Sequence, residues 1–310
     1  MLNGGSAKSI PQKPLVRRRR GRALRIPASI AWLKASEAGA QWLSSLPDRV
    51  NGCVEKWDLR LGSPFASAYT SLAIPARLPD GADVVLKVPF PDRESEHEAL
   101  ALSWWGGDGA VKLLQNDPAL GAFLIERCIP GTPVSSLEQD AALDVLVNLL
   151  PRLWKPMADD GFRPLAEEAS WWASHLRENW VRAGRPFDER LVDAALEALR
   201  SLPGSQAEQV LIHQDLHGDN VLRARREPWL AIDPKPLAGE REFGLAPIVR
   251  SFELGATRRD VRHRLDRLSS ELGLDRERSR LWCLAQTVAW SIGSDYLSTH
   301  VDTATWLLEM

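Results

Sequence analysis

The chain has 310 residues, of which 44% are hydrophobic and 26% are charged. This composition is ordinary for a soluble globular protein, and the length allows two domains or one large unit of two lobes. The formal net charge of −2 gives no overall positive field, so we expect no nucleic-acid partner.

The cysteines and the hydropathy pattern indicate the cellular compartment of the protein. Cys53, Cys128 and Cys283 are far apart and have no metal-like spacing, so we expect reduced thiols and a cytoplasmic protein. No apolar stretch is long enough to cross a bilayer, and we therefore expect no membrane association.

Residues 1–26 contain the basic run Arg17–Arg22, and no acidic residue comes before Glu37. This composition predicts a disordered basic tail. A targeting segment or an arm that binds nucleic acid is the alternative.

Residues 27–126 have the pattern of a small β-rich unit. A helix is predicted from Pro27 to Leu46, and Pro47 is expected to end it. Short strands separated by turn residues follow, and together with one later helix they predict a five-stranded antiparallel sheet. The predicted strands are Trp57–Leu61, Tyr69–Ile74, Asp83–Val88, Val111–Leu114 and Phe123–Ile125.

One lysine stands among the apolar residues of the third predicted strand. The strand period of two places Val84, Leu86 and Val88 on one face and Lys87 on the other. A buried, unpaired ammonium group is costly, so Lys87 either reaches water at a sheet edge or has a partner. A helix is predicted from Glu94 to Trp105, and Glu98, one or two turns inside it, is the expected partner, with Glu94 and Glu96 as competitors.

Residues 127–310 are mostly helical by their periodicity. Helices are predicted over Ser136–Leu153 and Trp171–Ala183, and a third is capped by Asp188. Between two short apolar strands lies a polar loop, His213–Asn220, and the next apolar strand, Trp229–Ile232, ends at Asp233. Strands that hold a polar loop fix its side chains while leaving them accessible, as chemistry requires.

These polar residues match the parts that a phosphoryl transfer needs. A lysine positioned by a glutamate can hold phosphates, and an aspartate can orient an accepting hydroxyl and take its proton. Carboxylate and amide oxygens are suitable ligands for Mg²⁺. A metallohydrolase is the alternative from another class, because His213, Asp215, His217 and Asp219 alternate and such clusters bind Zn²⁺. No second histidine-rich cluster completes that site.

The motifs resemble those of the protein-kinase-like superfamily. The kinase catalytic loop His-Arg-Asp-Leu-x-x-x-Asn matches His213–Asn220 at every fixed position except Gln214. The strand segment Val84–Lys87 resembles Val-Ala-Ile-Lys, and Asp233–Lys235 stands in place of Asp-Phe-Gly. His217 and the run Ile232–Pro236 look like the aminoglycoside phosphotransferases, in particular the branch of streptomycin 6-kinases and hydroxyurea-resistance kinases. The resemblance extends from Pro27 to the C-terminus.

The resemblance implies an α+β, two-lobed fold, with residues 27–126 as the ATP-binding lobe and residues 127–310 as the catalytic and acceptor-binding lobe. It implies ATP and Mg²⁺ as cofactors and a small-molecule acceptor, an aminoglycoside such as streptomycin or else hydroxyurea. The implied roles are Asp215 as the catalytic base or the group that orients the hydroxyl, Asn220 and Asp233 as magnesium ligands, Lys87 with Glu98 at the phosphates, and backbone groups of Glu126 and Cys128 at the adenine.

Two departures from the family pattern leave a further alternative. The loop after Gly62 is poor in glycine, and Gly244 stands where members of the family usually carry an acidic residue. A kinase-like protein that binds nucleotide but has weak activity would fit both changes. A cationic acceptor would need carboxylates on the helical lobe; the candidates, none of them singled out, are Asp159, Asp160, Glu167, Glu168 and Asp295.

Overall fold

A computed structural model describes residues 24–157, 161–206, 208–295 and 297–310. Nearly all of the predicted basic tail, and the acceptor candidates Asp159 and Asp160, lie outside these residues. The described chain begins with a 3₁₀ helix, Ala28–Ala35, followed by helix α1, Glu37–Trp57. Ser36 separates the two and caps α1, because its side chain accepts a hydrogen bond from the backbone of Gly39 at 3.1 Å.

The predicted five-stranded antiparallel sheet is confirmed. Its order is β1-β2-β3-β5-β4, and every neighbouring pair is antiparallel. The strands are β1 (Arg60–Leu61), β2 (Ser71–Arg77), β3 (Asp83–Pro89), β4 (Leu113–Asp117) and β5 (Ala122–Glu126). Lys87 therefore lies on the central strand, between Ala73 of β2 and Phe123 of β5.

The two faces of β3 serve different cores, as its period of two predicts. Val84, Leu86 and Val88 pack with α1 and the 3₁₀ helix in an apolar cluster of the first lobe. Val85 belongs to the larger cluster that includes helix α2 (Glu98–Trp105) and the C-terminal helices. The sheet face that carries Lys87 is thus the face turned toward the rest of the molecule.

The C-terminal part is mostly helical, as predicted. Its helices are α3 (Gln139–Leu153), α4 (Leu165–Arg182), α5 (Glu189–Ser201), α6 (Ala246–Val249), α7 (Arg258–Glu271), α8 (Arg276–Ala289) and α9 (Leu297–Leu308). Its short strands are β6 (Val210–Ile212), β7 (Val221–Arg223), β8 (Trp229–Ala231) and β9 (Leu237–Gly239), which form the pairs β6-β9 and β7-β8. Asp188 caps α5, as predicted. In the described part of the chain, no helix is both long and apolar enough to cross a membrane.

The prediction that Pro47 ends the first helix is wrong, because Pro47 lies inside α1. A proline within a helix costs about 3 kcal/mol. Burial of Trp42, Leu46, Val50 and Cys53 against the sheet outweighs that cost, since a buried apolar side chain contributes about 1.5–3 kcal/mol.

Other boundaries also differ from the predictions: α4 begins at Leu165 and not at Trp171, and β4 covers Leu113–Asp117 and not Val111–Leu114. Trp57 ends α1 instead of beginning a strand, so β1 contains only Arg60 and Leu61. Helix α2 begins at Glu98, not at Glu94, because turns that Asp92 and Ser95 stabilise occupy the preceding residues. Glu98 is therefore the first residue of α2 and does not lie one or two turns inside it.

A buried arginine holds the segment that joins α6 to α7. The Arg264 side chain is 0% exposed. Its guanidinium group donates to the carbonyl of Val249 at 2.8 and 3.1 Å, of Leu254 at 3.1 Å and of Gly255 at 2.8 Å. These bonds satisfy three carbonyls in a segment that also carries Arg250, a contact of the predicted catalytic aspartate.

Replacement of this arginine tests its part in the fold. We expect Arg264→Met to lower the free energy of unfolding by about 3 kcal/mol, because the carbonyls of Val249 and Gly255 would lose this donor, whereas that of Leu254 also accepts from Gln139. Chemical denaturation is the measurement, with exposed Arg259→Met on the same helix as the control. Equal stability of the two variants would contradict a structural role for Arg264.

Candidate active site

Lys87, Glu98 and Asp233 meet in a narrow cavity between the sheet and the C-terminal part. The ammonium nitrogen of Lys87 lies 2.5 Å from Oε1 of Glu98, and it also donates to Oδ1 of Asp233. The cavity is lined by Thr70, Ser71, Lys87, Pro89, Asp92, Ser95, Glu98, Asp233, Pro234 and Lys235. The structure thus brings the predicted lysine, its predicted partner and the more distant aspartate to one point.

Charge pairing explains why Lys87 can be buried. Burial alone would lower its pKa, but the charges of Asp233 and Glu98 outweigh that effect and raise the pKa above its usual value. Glu94 and Glu96, the competing partners, do not bond to Lys87. The single charge of Lys87 cannot fully neutralise two carboxylates, and burial raises the pKa of Glu98 to about 7 although Lys87 opposes the change.

The loop His213–Asn220 follows β6 and leads into β7, as predicted. Nε2 of His213 lies 2.9 Å from the carbonyl oxygen of Ile232, and its Nδ1 lies 3.3 Å from the backbone nitrogen of Asp215. Both contacts fit a single neutral tautomer, with the proton on Nε2. Burial lowers the pKa of His213 to about 4, so this histidine acts as a neutral brace of the loop.

Asp215 is held between two cations. Its Oδ2 accepts a hydrogen bond from Nζ of Lys235 at 2.8 Å, and its Oδ1 accepts one from Nη2 of Arg250 at 3.2 Å. Burial would raise the pKa of Asp215, but Lys235, His217 and Arg250 outweigh burial and keep that pKa well below its ordinary value. The carboxylate is therefore ionised and fixed in orientation at neutral pH.

Asn220 and Asp233, the predicted metal ligands, lie on adjacent backbone segments. The amide nitrogen of Asn220 donates to the carbonyl of Asp215 at 2.8 Å, and the carbonyl of Asn220 accepts from the backbone of Ile232 at 2.9 Å. The second bond places Asn220 beside the residue that precedes Asp233. Asp233 has a φ of +59°, a strained conformation for a residue other than glycine and one that concentrates at functional sites.

Glu126 and Cys128 lie where the chain leaves the sheet for the C-terminal part. The backbone N–H of Glu126 donates to the carbonyl of Lys112 at 2.9 Å, and its carboxylate pairs with Arg226 at 2.9 Å. Its N–H is thus already used, and the carbonyl is the group of Glu126 that could bind a base. Cys128 is half-buried, and burial raises the pKa of its thiol to about 12.

The glycine-poor loop after Gly62 is held by aromatic contacts that the sequence did not indicate. Trp32 of the 3₁₀ helix donates its indole N–H to the carbonyl of Tyr69 at 3.1 Å, and the two rings stack at 5.0 Å. The backbone of Phe65 donates to Ala73 at 2.9 Å. The loop therefore folds back on β2 without a run of glycines.

The structure also shows what surrounds Gly244. A Cβ atom at this position would lie 3.0 Å from Nε1 of Trp154, so the indole occupies the space of the missing side chain. The loop His213–Asn220 is braced from another direction, because fully buried Gln286 of α8 donates to the carbonyl of Gln214 at 3.1 Å. Gly244 thus does not leave the loop unsupported.

Of the four alternating ligands of the metallohydrolase alternative, His217 and Asp219 come together, but His213 and Asp215 do not join them. Among the residues that the structure describes, the one group of three possible metal ligands consists of His217, Asp219 and Glu253, whose ligand atoms lie within 4.8 Å of one another. His213 and Asp215 are outside it. His217 instead pairs with Glu253 at 2.9 Å, and Asp219 accepts a hydrogen bond from Ser135.

Lys235 and Arg250 are site residues that the sequence analysis missed. Lys235 follows Asp233 by two residues, and a lysine between two prolines in that run was an available signal. Arg250 had none, because it lies 35 residues from Asp215 in the chain and only the helical packing brings it close. Glu167 and Glu168, two acceptor candidates, are already paired with Arg93 at 3.0 and 2.8 Å.

The architecture is the protein-kinase-like fold. The choline kinase LicA from Streptococcus pneumoniae has the same fold, with a TM-score of 0.58 and 14% identity over 85% of this chain and 98% of that one.

The profile described as aminoglycoside/hydroxyurea antibiotic resistance kinase matches residues 56–294, and the chain belongs to this family. A hydroxyurea phosphotransferase of Kitasatospora aureofaciens is 40% identical over 87% of this chain and 80% of its own length. A streptomycin 6-kinase of Streptomyces glaucescens is 37% identical over 86% of this chain and 90% of its own length.

The neutral state of His213 predicts a pH dependence of stability. The unfolded chain takes up a proton near pH 6.5, whereas folded His213 does so only near pH 4. Its contribution is therefore fully present above pH 6.5 and is lost as the pH falls toward 4, by about 1.4 kcal/mol for each pH unit in that window.

We expect the unfolding free energy of His213→Gln to fall less steeply than that of the wild type between pH 6.5 and 4. Buried His300, whose pKa burial also lowers to about 4, will keep part of the slope in both proteins. Partly exposed His175→Gln is the control. Identical slopes for the wild type and His213→Gln would rule out a buried neutral His213.

Proposed function

We propose that the protein transfers the γ-phosphoryl group of ATP to a hydroxyl group of a small molecule, with streptomycin as the first candidate acceptor. The observation that carries this proposal is the meeting of Lys87 and Glu98 from the first lobe with Asp215, Asn220 and Asp233 from the second. Hydroxyurea is the second candidate, because a hydroxyurea phosphotransferase is 40% identical to this chain.

In this proposal residues 27–126 bind the nucleotide. Lys87 contacts the α- and β-phosphates while Glu98 positions its ammonium group. The carbonyl of Glu126 and a backbone group of Cys128 bind adenine, which is consistent with the N–H of Glu126 being bonded to Lys112. The stacked pair Trp32 and Tyr69 holds the loop that covers the phosphates.

Asn220 and Asp233 fit a magnesium ion by the chemistry of their donors. The amide nitrogen of Asn220 is bonded to the carbonyl of Asp215, so its oxygen is the atom that can face a metal. The carboxylate of Asp233 supplies the hard oxygen ligands that Mg²⁺ prefers. When bound, the ion would neutralise phosphate charge and keep the triphosphate in line for transfer.

We propose residues 127–310 as the catalytic and acceptor-binding lobe. Within this lobe, Asp215 accepts the proton that the reaction releases. The acceptor hydroxyl donates its proton to Asp215 as its oxygen bonds to the γ-phosphorus. The bond between that phosphorus and the β,γ-bridging oxygen breaks, and the electron pair leaves with ADP.

Three free cysteines, Cys53, Cys128 and Cys283, are consistent with a protein of the cytoplasm, where thiols stay reduced and ATP is available.

Product mass tests the transfer. With Mg-ATP and streptomycin we expect a product heavier by one phosphoryl group, and with hydroxyurea the same gain if that is the acceptor. Asp215→Asn should reduce turnover by at least about 100-fold, because the base is lost, while ADP still binds.

The other outcomes separate the alternatives. Nucleotide binding without phosphorylation of either acceptor would favour a weakly active, kinase-like binding protein. Full turnover by Asp215→Asn would refute the mechanism. Tightly held, stoichiometric Zn²⁺ in the purified protein would favour a metallohydrolase.

The contact between Trp32 and Tyr69 gives a separate prediction. We expect Trp32→Ala to raise the KM for ATP by about fivefold, because an aromatic pair contributes about 1 kcal/mol, and to leave the KM for the acceptor unchanged. Steady-state kinetics with each substrate varied is the measurement, and Trp171→Ala, an exposed tryptophan of α4, is the control. An unchanged KM for ATP would contradict the proposal that this aromatic pair holds the loop over the phosphates.

A further inference from the structure

Lys235 is a cation close to Asp215 and Asp233, the two carboxylates on which the proposed transfer depends. Its ammonium nitrogen lies 2.8 Å from Oδ2 of Asp215, and Lys235 lines the same cavity as Lys87, Glu98 and Asp233. Its side chain is 17% exposed. It therefore faces the space between the predicted base and the predicted phosphate-binding lysine.

The backbone fixes Lys235 relative to the catalytic loop. Its N–H donates to the carbonyl of His213 at 2.9 Å. Pro234 and Pro236 flank it, and each proline restricts the backbone of its segment. The tryptophan ring of Trp290 lies 5.8 Å from the ammonium group and limits its movement on the other side.

The groups around Lys235 keep it charged. Burial would lower its pKa, but the carboxylates of Asp215, Glu94 and Asp233 raise it well above its usual value. Glu94 belongs to the turn before α2, and burial raises its own pKa to about 7. Arg250 is the other cation that contacts Asp215. Asp215 therefore still has a charged partner when Lys235 moves away from it.

We propose that Lys235 is a catalytic residue that contacts the γ-phosphoryl group of the bound nucleotide. This inference rests on the proposed function. Without nucleotide the cation pairs with Asp215; with nucleotide it bonds to the phosphoryl oxygens, where charge is spread during transfer. Lys235 keeps its proton throughout, while the acceptor proton passes to Asp215, the new O–P bond forms and ADP leaves with the electrons of the broken bond.

A purely positioning role makes a different prediction. If Lys235 only orients Asp215, its loss changes turnover but affects the binding of ADP and of an ATP analogue equally. If Lys235 contacts the γ-phosphoryl group, its loss weakens the binding only of the nucleotide that carries this group. The ratio of the two affinities therefore separates the roles, independently of turnover.

The experiment measures the binding of ADP and of the non-hydrolysable analogue AMP-PNP by calorimetry, both with Mg²⁺. For Lys235→Met we expect AMP-PNP to bind at least tenfold more weakly relative to wild type, while the Kd for ADP changes less than twofold. Lys235→Arg should recover part of the AMP-PNP affinity. Lys56→Met, at an exposed lysine of α1 that does not line this cavity, should match the wild type.

Equal changes for both nucleotides would overturn the proposal and leave Lys235 a positioning residue. Should Lys235→Met fail to fold, the same comparison on Lys235→Arg and Lys235→Gln decides, because each retains a polar head group. Wild-type protein that binds neither nucleotide and phosphorylates no acceptor would instead refute the proposed function. Wild-type protein that transfers phosphate, with an unchanged affinity ratio in the variants, refutes only the role of Lys235.

Discussion

The ion pairs of Lys87 are the interaction on which the arrangement of the two lobes depends. A buried cation is tolerated only when it is paired, and Lys87 finds Glu98 within the first lobe and Asp233 in the second. Removal of one partner from a buried pair costs about 3–5 kcal/mol. The contact therefore couples the start of α2, the central strand β3 and the segment after β8 into one geometry.

The same principle orders the other side of the cleft. Asp215 is matched by Lys235 and Arg250, so the cleft alternates between acidic and basic groups and leaves few charges unpaired. Such a site is preorganised for an anionic ligand, because ion pairs already hold its cations in place before phosphate oxygens arrive. The left-handed backbone at Gln214 and Asp233 is consistent with strain concentrated where the chemistry is expected.

Much of this site could be predicted from local sequence. A lone lysine in an apolar strand requires a partner, and a polar loop between short apolar strands presents its side chains; these rules found Lys87, Glu98 and Asp215. Rules of this kind fail where the cause is distant in the chain. Tertiary packing causes the pairing of Arg250 with Asp215, the stacking of Trp32 on Tyr69 and the hydrogen bond from Gln286 to the loop. It also causes α1 to continue through Pro47.

The central claim is that Lys87 binds the phosphates and Asp233 binds the metal. The most direct test is the affinity for ADP, measured with and without Mg²⁺ in the wild type and in Asp233→Asn. The wild type should bind ADP more tightly when Mg²⁺ is present. Asp233→Asn should lose that gain yet keep its affinity in the absence of Mg²⁺, because Lys87 still holds the phosphates and is freed from one carboxylate. A full magnesium effect in Asp233→Asn would contradict the assignment of Asp233 to the metal.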